Sequence, residues 1–198
     1  MPNLILASSS SYRKSLLERL HIPFQCVSPD LDEKALENES AEHQAIRLAR
    51  EKAQAIAKAF PEAAVIGSDQ VAELCFDDSC NIKARALGKP GNYQRAVEQL
   101  SDQSGQLVKF YTAVTVIKEG LVSSALDITQ VQFRHLTSAE IDAYLKADRP
   151  YNCAGSFKAE SLGISLFKSV KSDDPTGLIG LPLIKLSQIL RELNISAN

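Results

Sequence analysis

Between residues 41 and 60 the apolar positions Ile46, Ala49, Ala53, Ile56, Ala57 and Phe60 recur at helical spacing and predict an amphipathic helix. Lys52 lies beside that stripe, four residues from both Leu48 and Ile56. Upstream, Leu4-Ile5-Leu6-Ala7 reads as a short buried strand, and Ser10 or Ser11 caps a helix that turns Leu16, Leu17 and Leu20 inward. A second strand is expected near Phe24 to Val27. It ends at Ser28-Pro29-Asp30, and an acidic, irregular passage through Asp32 and Glu33 follows. Farther on, Tyr93, Ala96, Val97 and Leu100 mark another helix face. The β-branched and aromatic run Leu107 to Ile117 and the alternating Thr129, Val131 and Phe133 predict an antiparallel pair joined across Lys118-Glu119-Gly120. Thr137-Ser138-Ala139-Glu140 has the spacing of a capping box, Leu162 to Phe167 reads as a strand, and Pro182 opens a last helix with Leu183, Leu186, Leu190 and Leu193 inward.

One stretch departs from these simple periods. In Ala64-Val65-Ile66-Gly67-Ser68-Asp69-Gln70-Val71 a β-branched run breaks at glycine and at once presents a serine and a carboxylate. Ligands of open α/β sheets bind at the carboxyl ends of strands, so this pattern predicts an acid delivered to a cleft from a strand end. An ordinary polar turn is the competing reading. Ala72-Glu73-Leu74 continues as strand into a charged surface loop from Phe76 to Arg85, and Gly88-Lys89-Pro90-Gly91-Asn92 punctuates the chain before the next helix. The sum predicts a mixed α/β fold, with residues 1–198 as one domain.

Composition narrows the function classes. Lys and Arg number 22 against 24 Asp and Glu, and the signs are interspersed, which argues against a nucleic-acid or membrane partner. The N-terminus lacks a charged leader, and no segment approaches the roughly 20 apolar residues that cross a bilayer, so a soluble, cytoplasmic protein is expected. Cys26, Cys75, Cys80 and Cys153 are then expected as reduced thiols, and no second Cys/His pair accompanies Cys75 and Cys80 to build a zinc site. Gly88-Lys89-Pro90 is not a P-loop, because proline stands where a serine or threonine must bind magnesium. No Gly-x-Ser-x-Gly elbow is present, and His21, His43 and His135 form no metal-like pair.

What remains is a set of charges at turns or beside apolar stripes: Arg13, Glu33, Lys52, Asp69, Lys89, Lys158 and Glu160. Cations to neutralise nonbridging oxygens, carboxylates to hold a divalent metal and a base for the attacking water are what a polyphosphate ligand requires. Taken singly, each of these residues also reads as an ordinary surface charge. The Ser8-Ser9-Ser10-Ser11 turn adds hydroxyls and backbone N–H groups at a helix start, a ready anion site, with Arg13 in its first turn.

Leu4-Ile5-Leu6-Ala7-Ser8 with Arg13, Asp32-Glu33, Lys52, Gly67-Ser68-Asp69-Gln70, Gly88-Lys89-Pro90 and Gly180-Leu181-Pro182-Leu183 together resemble the Maf family of nucleoside triphosphate pyrophosphatases along essentially the whole chain. Cys153-Ala154-Gly155-Ser156-Phe157-Lys158-Ala159-Glu160 and Asp174-Pro175 look like its YceF-type subfamily, whose substrate is 7-methyl-GTP. The resemblance implies a fold similar to the inosine-triphosphate pyrophosphatases, with two α/β lobes around a central cleft and, in many members, a homodimer. It also implies hydrolysis to a nucleoside monophosphate and pyrophosphate with Mg²⁺ or Mn²⁺. By position, Asp69 matches the proton acceptor, Glu33 the second acid, and Ser8, Arg13, Lys52 and Lys89 the groups along the triphosphate. Lys158 joins the substrate-binding set. Asp69 and Glu33 match the metal-holding carboxylates, and Tyr12, Gln70 and Glu160 the base-selecting positions. Ser11 and Lys14 depart from the proline and arginine common in the family's opening turn, and the Phe76 to Arg85 loop is longer than the subfamily suggests. Two other readings stand beside this one: a Maf enzyme acting on dTTP, UTP or CTP, and a regulatory nucleotide-binding protein of cell division arrest.

Overall fold

The computed structural model describes residues 4–76 and 84–195. In chain order these form β1 (Leu4–Leu6), α1 (Ser11–Glu18), β2 (Gln25–Cys26), α2 (Ala41–Ala57), β3 (Ala64–Cys75), β4 (Ala84–Leu87), α3 (Tyr93–Gln103), β5 (Leu107–Lys118), β6 (Leu121–Phe133), α4 (Ser138–Asp148), β7 (Phe167–Lys171) and α5 (Leu183–Glu192). The strands hydrogen-bond in the order β2-β1-β3-β5-β6-β7, with β4 also on β3. β1 runs parallel to β2 and β3, whereas β4 and β7 run antiparallel to β3 and β6. The fold is mixed α/β, as the periodicities predict.

Two compact units divide this chain. The first comprises Met1–Gln70, Tyr111–Asp127 and Asp174–Asn198, and the second Val71–Phe110 and Ile128–Asp173. In the first, β1 is buried on both faces, which is why it reads as an unbroken apolar run. Leu4 and Leu6, with Ala64 and Ile66 of β3, pack against Leu16 and Leu17 of α1 and Leu186, Ile189 and Leu190 of α5. On the opposite face Ile5 and Val65 meet Ala53 and Ile56 of α2. Side chains alternate along a strand, so β3 carries this division of faces forward into its polar residues. Truncating a fully buried leucine such as Leu17 to alanine costs about 2–5 kcal/mol in such a core.

In the second unit, Phe110, Phe133, Phe157 and Phe167 form an edge-to-face cluster with ring centroids 4.9–5.6 Å apart. Thr137 caps α4 reciprocally with Glu140, as the capping-box spacing predicts. The expected hairpin is also present: Glu119 and Gly120, both at positive φ, connect β5 to β6.

Several expectations are corrected. β3 does not break at Gly67 but runs unbroken to Cys75, so Asp69 lies in mid-strand and not in a turn. The physical reason is helix approach: a Cβ at position 67 would overlap the Ala49 carbonyl oxygen and lie 2.6 Å from the Ala53 nitrogen. Gly67 therefore lets α2 come close; it does not end the strand. At the far end of the expected Phe76 to Arg85 loop, Ala84 and Arg85 belong to β4. Leu162–Leu166 forms a 3-10 turn, and the strand begins only at Phe167. Pro182 is the N-cap residue of α5 rather than its first helical residue, and the strand near Phe24 to Val27 shrinks to Gln25–Cys26. Cys75 is disulfide-bonded, contrary to the expectation of reduced thiols, while Cys26 and Cys153 carry thiols outside any disulfide. Cys80, the other half of the cysteine pair weighed for zinc, lies outside the described residues. No described helix is long and apolar enough to cross a membrane.

Candidate active site

Close approach of α2 to β3 at Gly67 brings the next residue of the same strand face, Asp69, onto the helix. Lys52, between Ala49 and Ala53 in the sequence, donates from Nζ to Asp69 Oδ1 at 2.6 Å. The same ammonium lies 2.6 Å from Glu33 Oε1. Lys52 and Asp69 are buried, at 5% and 6% exposure, whereas the Glu33 side chain is 55% exposed. A buried ammonium thus joins an acid from a strand to an acid from an irregular segment. Burial pushes the Asp69 carboxyl above its ordinary value, against the pull of Lys52 and Arg13, and nearby Glu33 adds to the rise. An aspartate so placed is a stronger base than a solvated one.

The other face of β3 is equally specified. Ser68 Oγ lies 2.9 Å from Ala113 O and 3.0 Å from Gly180 O, so its one proton serves either carbonyl. Gln70 Nε2 lies within 3.1 Å of Thr112 Oγ1, Gly177 O and Leu178 O. Because those two carbonyls can only accept, the nitrogen end of the amide is fixed toward them. The segment that supplies them is itself pinned to α5: Asp174 Oδ2 accepts from Ile184 N and Lys185 N, and Thr176 Oγ1 accepts from Leu183 N.

Arg13 joins the same group. Its Nε donates to Gly180 O at 2.8 Å, and its charge is felt by both Asp69 and Glu33. Burial lowers the Arg13 pKa, while the two acids oppose that fall. At the start of α1, Ser10 caps the helix through the Arg13 N–H, and Ser8 Oγ accepts from Ser10 N, which folds the serine turn on itself. Lys14 faces outward, 3.9 Å from Glu18. Tyr12 is half-buried beside Arg13 in the sequence.

Lys52 is therefore in direct contact with both Glu33 and Asp69, and Ser8, Tyr12, Arg13 and Gln70 belong to the same unit. Lys89, Lys158 and Glu160 belong to the second unit. There Lys89 and Glu160 are exposed, while Lys158 Nζ donates to Asp148 O at the C-terminal end of α4. Thr112 and Thr176 give no signal in the sequence, and Ser68 and Asp174 stand in its motifs without a role, since their partners are dozens of residues away or follow no helix-capping rule. Ser68 alone carried a signal: it alternates with Asp69 in a segment buried on both faces.

Glu33 and Asp69 offer hard oxygen donors converging on one cation, here the Lys52 ammonium. No group of three or more His, Cys, Asp or Glu suited to a metal occurs among the described residues. Such a donor pair fits Mg²⁺, which is bound by one or two carboxylates together with waters and substrate phosphates rather than by an all-protein cage.

The profile of the family described as Maf-like protein matches residues 3–193. A 7-methyl-GTP pyrophosphatase of Xanthomonas campestris pv. campestris (strain 8004) is 51% identical over 197 residues, covering 99% of this chain and 98% of that protein. The 7-methyl-GTP pyrophosphatase of Polaromonas sp. (strain JS666 / ATCC BAA-500) is 48% identical over 195 residues, covering 98% and 85%. Among solved structures, a HAM1 protein from Coxiella burnetii aligns with a TM-score of 0.49 at 14% identity, over 97% of this chain and all of that one.

Proposed function

Since the chain belongs to the Maf family, we propose that it is a nucleoside triphosphate pyrophosphatase acting on 7-methyl-GTP. The observation that carries this reading is the buried Lys52 ammonium shared by Asp69 and Glu33, in a chain about half identical to 7-methyl-GTP pyrophosphatases over nearly its full length. Asp69, made more basic by burial, takes a proton from a water that attacks the α-phosphorus. The α-phosphorus to bridging-oxygen bond breaks, and pyrophosphate leaves with the electron pair. Lys52 holds the Asp69 carboxylate in place and supplies positive charge, and Arg13, fixed through Nε on Gly180 O, keeps its remaining N–H groups for phosphate oxygens. Asp69 and Glu33 would hold Mg²⁺ or Mn²⁺, which neutralises developing charge on the phosphates when bound.

Base choice follows from chemistry of the same kind. Methylation at N7 leaves guanine with a positive charge that favours an aromatic face, worth about 0.5–2 kcal/mol, and Tyr12 supplies one. Glu160, exposed and anionic in the second unit, has the charged-acceptor chemistry that a guanine N1–H and amino group pair with. Gln70 commits its amide nitrogen inside the unit, so its carbonyl oxygen is the atom left to read a donor edge. Pyrophosphate release from a panel of 7-methyl-GTP, GTP, dTTP, UTP and CTP, with and without Mg²⁺, tests the proposal. The highest kcat/KM for 7-methyl-GTP with metal present is the expected result; turnover of pyrimidine triphosphates alone, or of nothing, overturns it.

A further inference from the structure

Glu33 reaches Lys52 from a segment without regular structure, so something other than a strand or helix must set its place. On α2, Arg47 and Gln44 do this from the side. Arg47 Nε lies 2.6 Å from Glu39 Oε1 and Nη2 lies 2.7 Å from Glu39 Oε2, a two-pronged pairing, and Nη2 also donates to Lys34 O at 3.1 Å. Nη1 is held by Glu51 at 3.0 Å, one helical turn onward. Gln44 Nε2 donates to Glu33 O at 3.2 Å. Glu39 also closes its own segment by accepting from Leu36 N. The Arg47 and Glu39 side chains are only 20% and 8% exposed, unlike the solvated pairs that contribute little.

We propose that Arg47 is a positioning residue: by clamping Glu39 and the Lys34 carbonyl it fastens residues 33–39 to α2 and thereby sets the Glu33 carboxylate on Lys52. This rests on the pyrophosphatase reading only for its effect on turnover, not for the clamp itself. The geometry is specific to a guanidinium. A lysine ammonium is a point charge and cannot pair both Glu39 oxygens while also donating to Lys34 O and Glu51. The hydrogen bonds from Arg47 draw the Glu39 carboxyl down to about 2, so the clamp stays charged well below the neutral range.

Arg47→Met and Arg47→Lys in the full chain, each alone and combined with Glu33→Gln, test the clamp by two readouts. Hydrogen–deuterium exchange should rise in residues 33–39 for both Arg47 variants while α5 keeps its protection. Removing the Glu33 charge, which takes one of two carboxylates from Lys52 and from the proposed metal, should lower kcat/KM about 10- to 100-fold, and each Arg47 variant should lower it by no more than that. In the Glu33→Gln background the Arg47 substitutions should lower it no further. Unchanged exchange overturns the clamp. Raised exchange with wild-type kcat/KM, or a loss that adds to that of Glu33→Gln, overturns action through Glu33. If the wild-type chain releases no pyrophosphate from any triphosphate, the proposed function fails, and the exchange measurement still decides the clamp. Should Arg47→Met not fold, Arg47→Lys, which keeps the charge and most of the stem, decides both readouts.

Discussion

Asp69 and Glu33 meet on one ammonium, yet they arrive there by opposite means. Asp69 stands in the middle of a strand buried on both faces, with its neighbours Gly67, Ser68 and Gln70 each tied to a different partner. Glu33 stands on an irregular acidic segment and is more than half exposed. The buried acid has its basicity set by the interior, and the exposed acid has its position set by a side-chain clamp. Under the proposed hydrolysis the two would do different work: the raised pKa suits Asp69 to take a proton, while Glu33 would act through its charge alone.

The widest separation between the two should appear in turnover. Asp69→Asn keeps the shape and an acceptor for Lys52 but loses the base, and should lower kcat by about 10²- to 10⁴-fold while nucleotide binding persists. Glu33→Gln should lower kcat/KM by less, about 10- to 100-fold. Pyrophosphate release and equilibrium binding of a non-hydrolysable triphosphate measure both. Equal losses in the two variants would erase the distinction.

Next comes the shared ammonium. Lys52→Met leaves Asp69 buried and without its cation, which costs on the order of 3 kcal/mol of stability at pH 7. The sign with pH follows from the direction of the Asp69 shift. Its folded-state pKa already lies above the unfolded value and rises further without Lys52, so the folded state binds the proton more tightly. The penalty is absent below the unfolded value of about 3.9 and grows as the pH rises toward the folded value. Denaturant midpoints at pH 4, 5.5 and 7 should diverge progressively from wild type. A loss independent of pH would place the cost in packing rather than in the charge.

Gly67→Ala probes the strand side by geometry alone. The added methyl meets backbone atoms of Ala49 and Ala53 rather than a flexible side-chain end, so α2 must move and carry Lys52 with it. Overpacking of this kind costs about 1–3 kcal/mol. A fall in melting temperature should accompany a fall in kcat, and a stable variant with wild-type turnover would show that Lys52 tolerates displacement.

Much of this organisation is legible in the sequence, and the failures have physical causes. Helix faces such as Ile46, Ala49, Ala53 and Ile56 were legible because a half-buried helix must display its period. Lys52 beside that stripe, and Asp69 after a β-branched run, marked the site's two buried charges. Gly67 misled because glycine is common to turns and to places of close approach, and only a partner helix distinguishes them. The Arg47–Glu39 pairing spans a helix start and an irregular segment, so no local period announces it. Ser68 and Gln70 pair with carbonyls 45 to 112 residues away, a relation that spacing along one chain does not encode.

The smallest expected effects come from the immediate neighbours of the two acids, and they test whether the contrast extends past the carboxylates themselves. Ser68→Ala removes the hydroxyl that serves Ala113 O or Gly180 O in a fully buried position, and should cost about 1 kcal/mol. Because Gly180 O also holds Arg13, the same variant should raise KM more than it lowers kcat. Asp32, next to Glu33, accepts from Lys34 N and pairs with the Lys34 ammonium at 3.4 Å, with side chains 70% and 87% exposed. Asp32→Asn retains an acceptor for Lys34 N and loses only a solvated ion pair, so its denaturant midpoint and kcat/KM should match those of wild type. A stability loss at Asp32 as large as at Ser68 would mean that the acidic segment is held by its own local contacts, and the Arg47 clamp would then be redundant in placing Glu33.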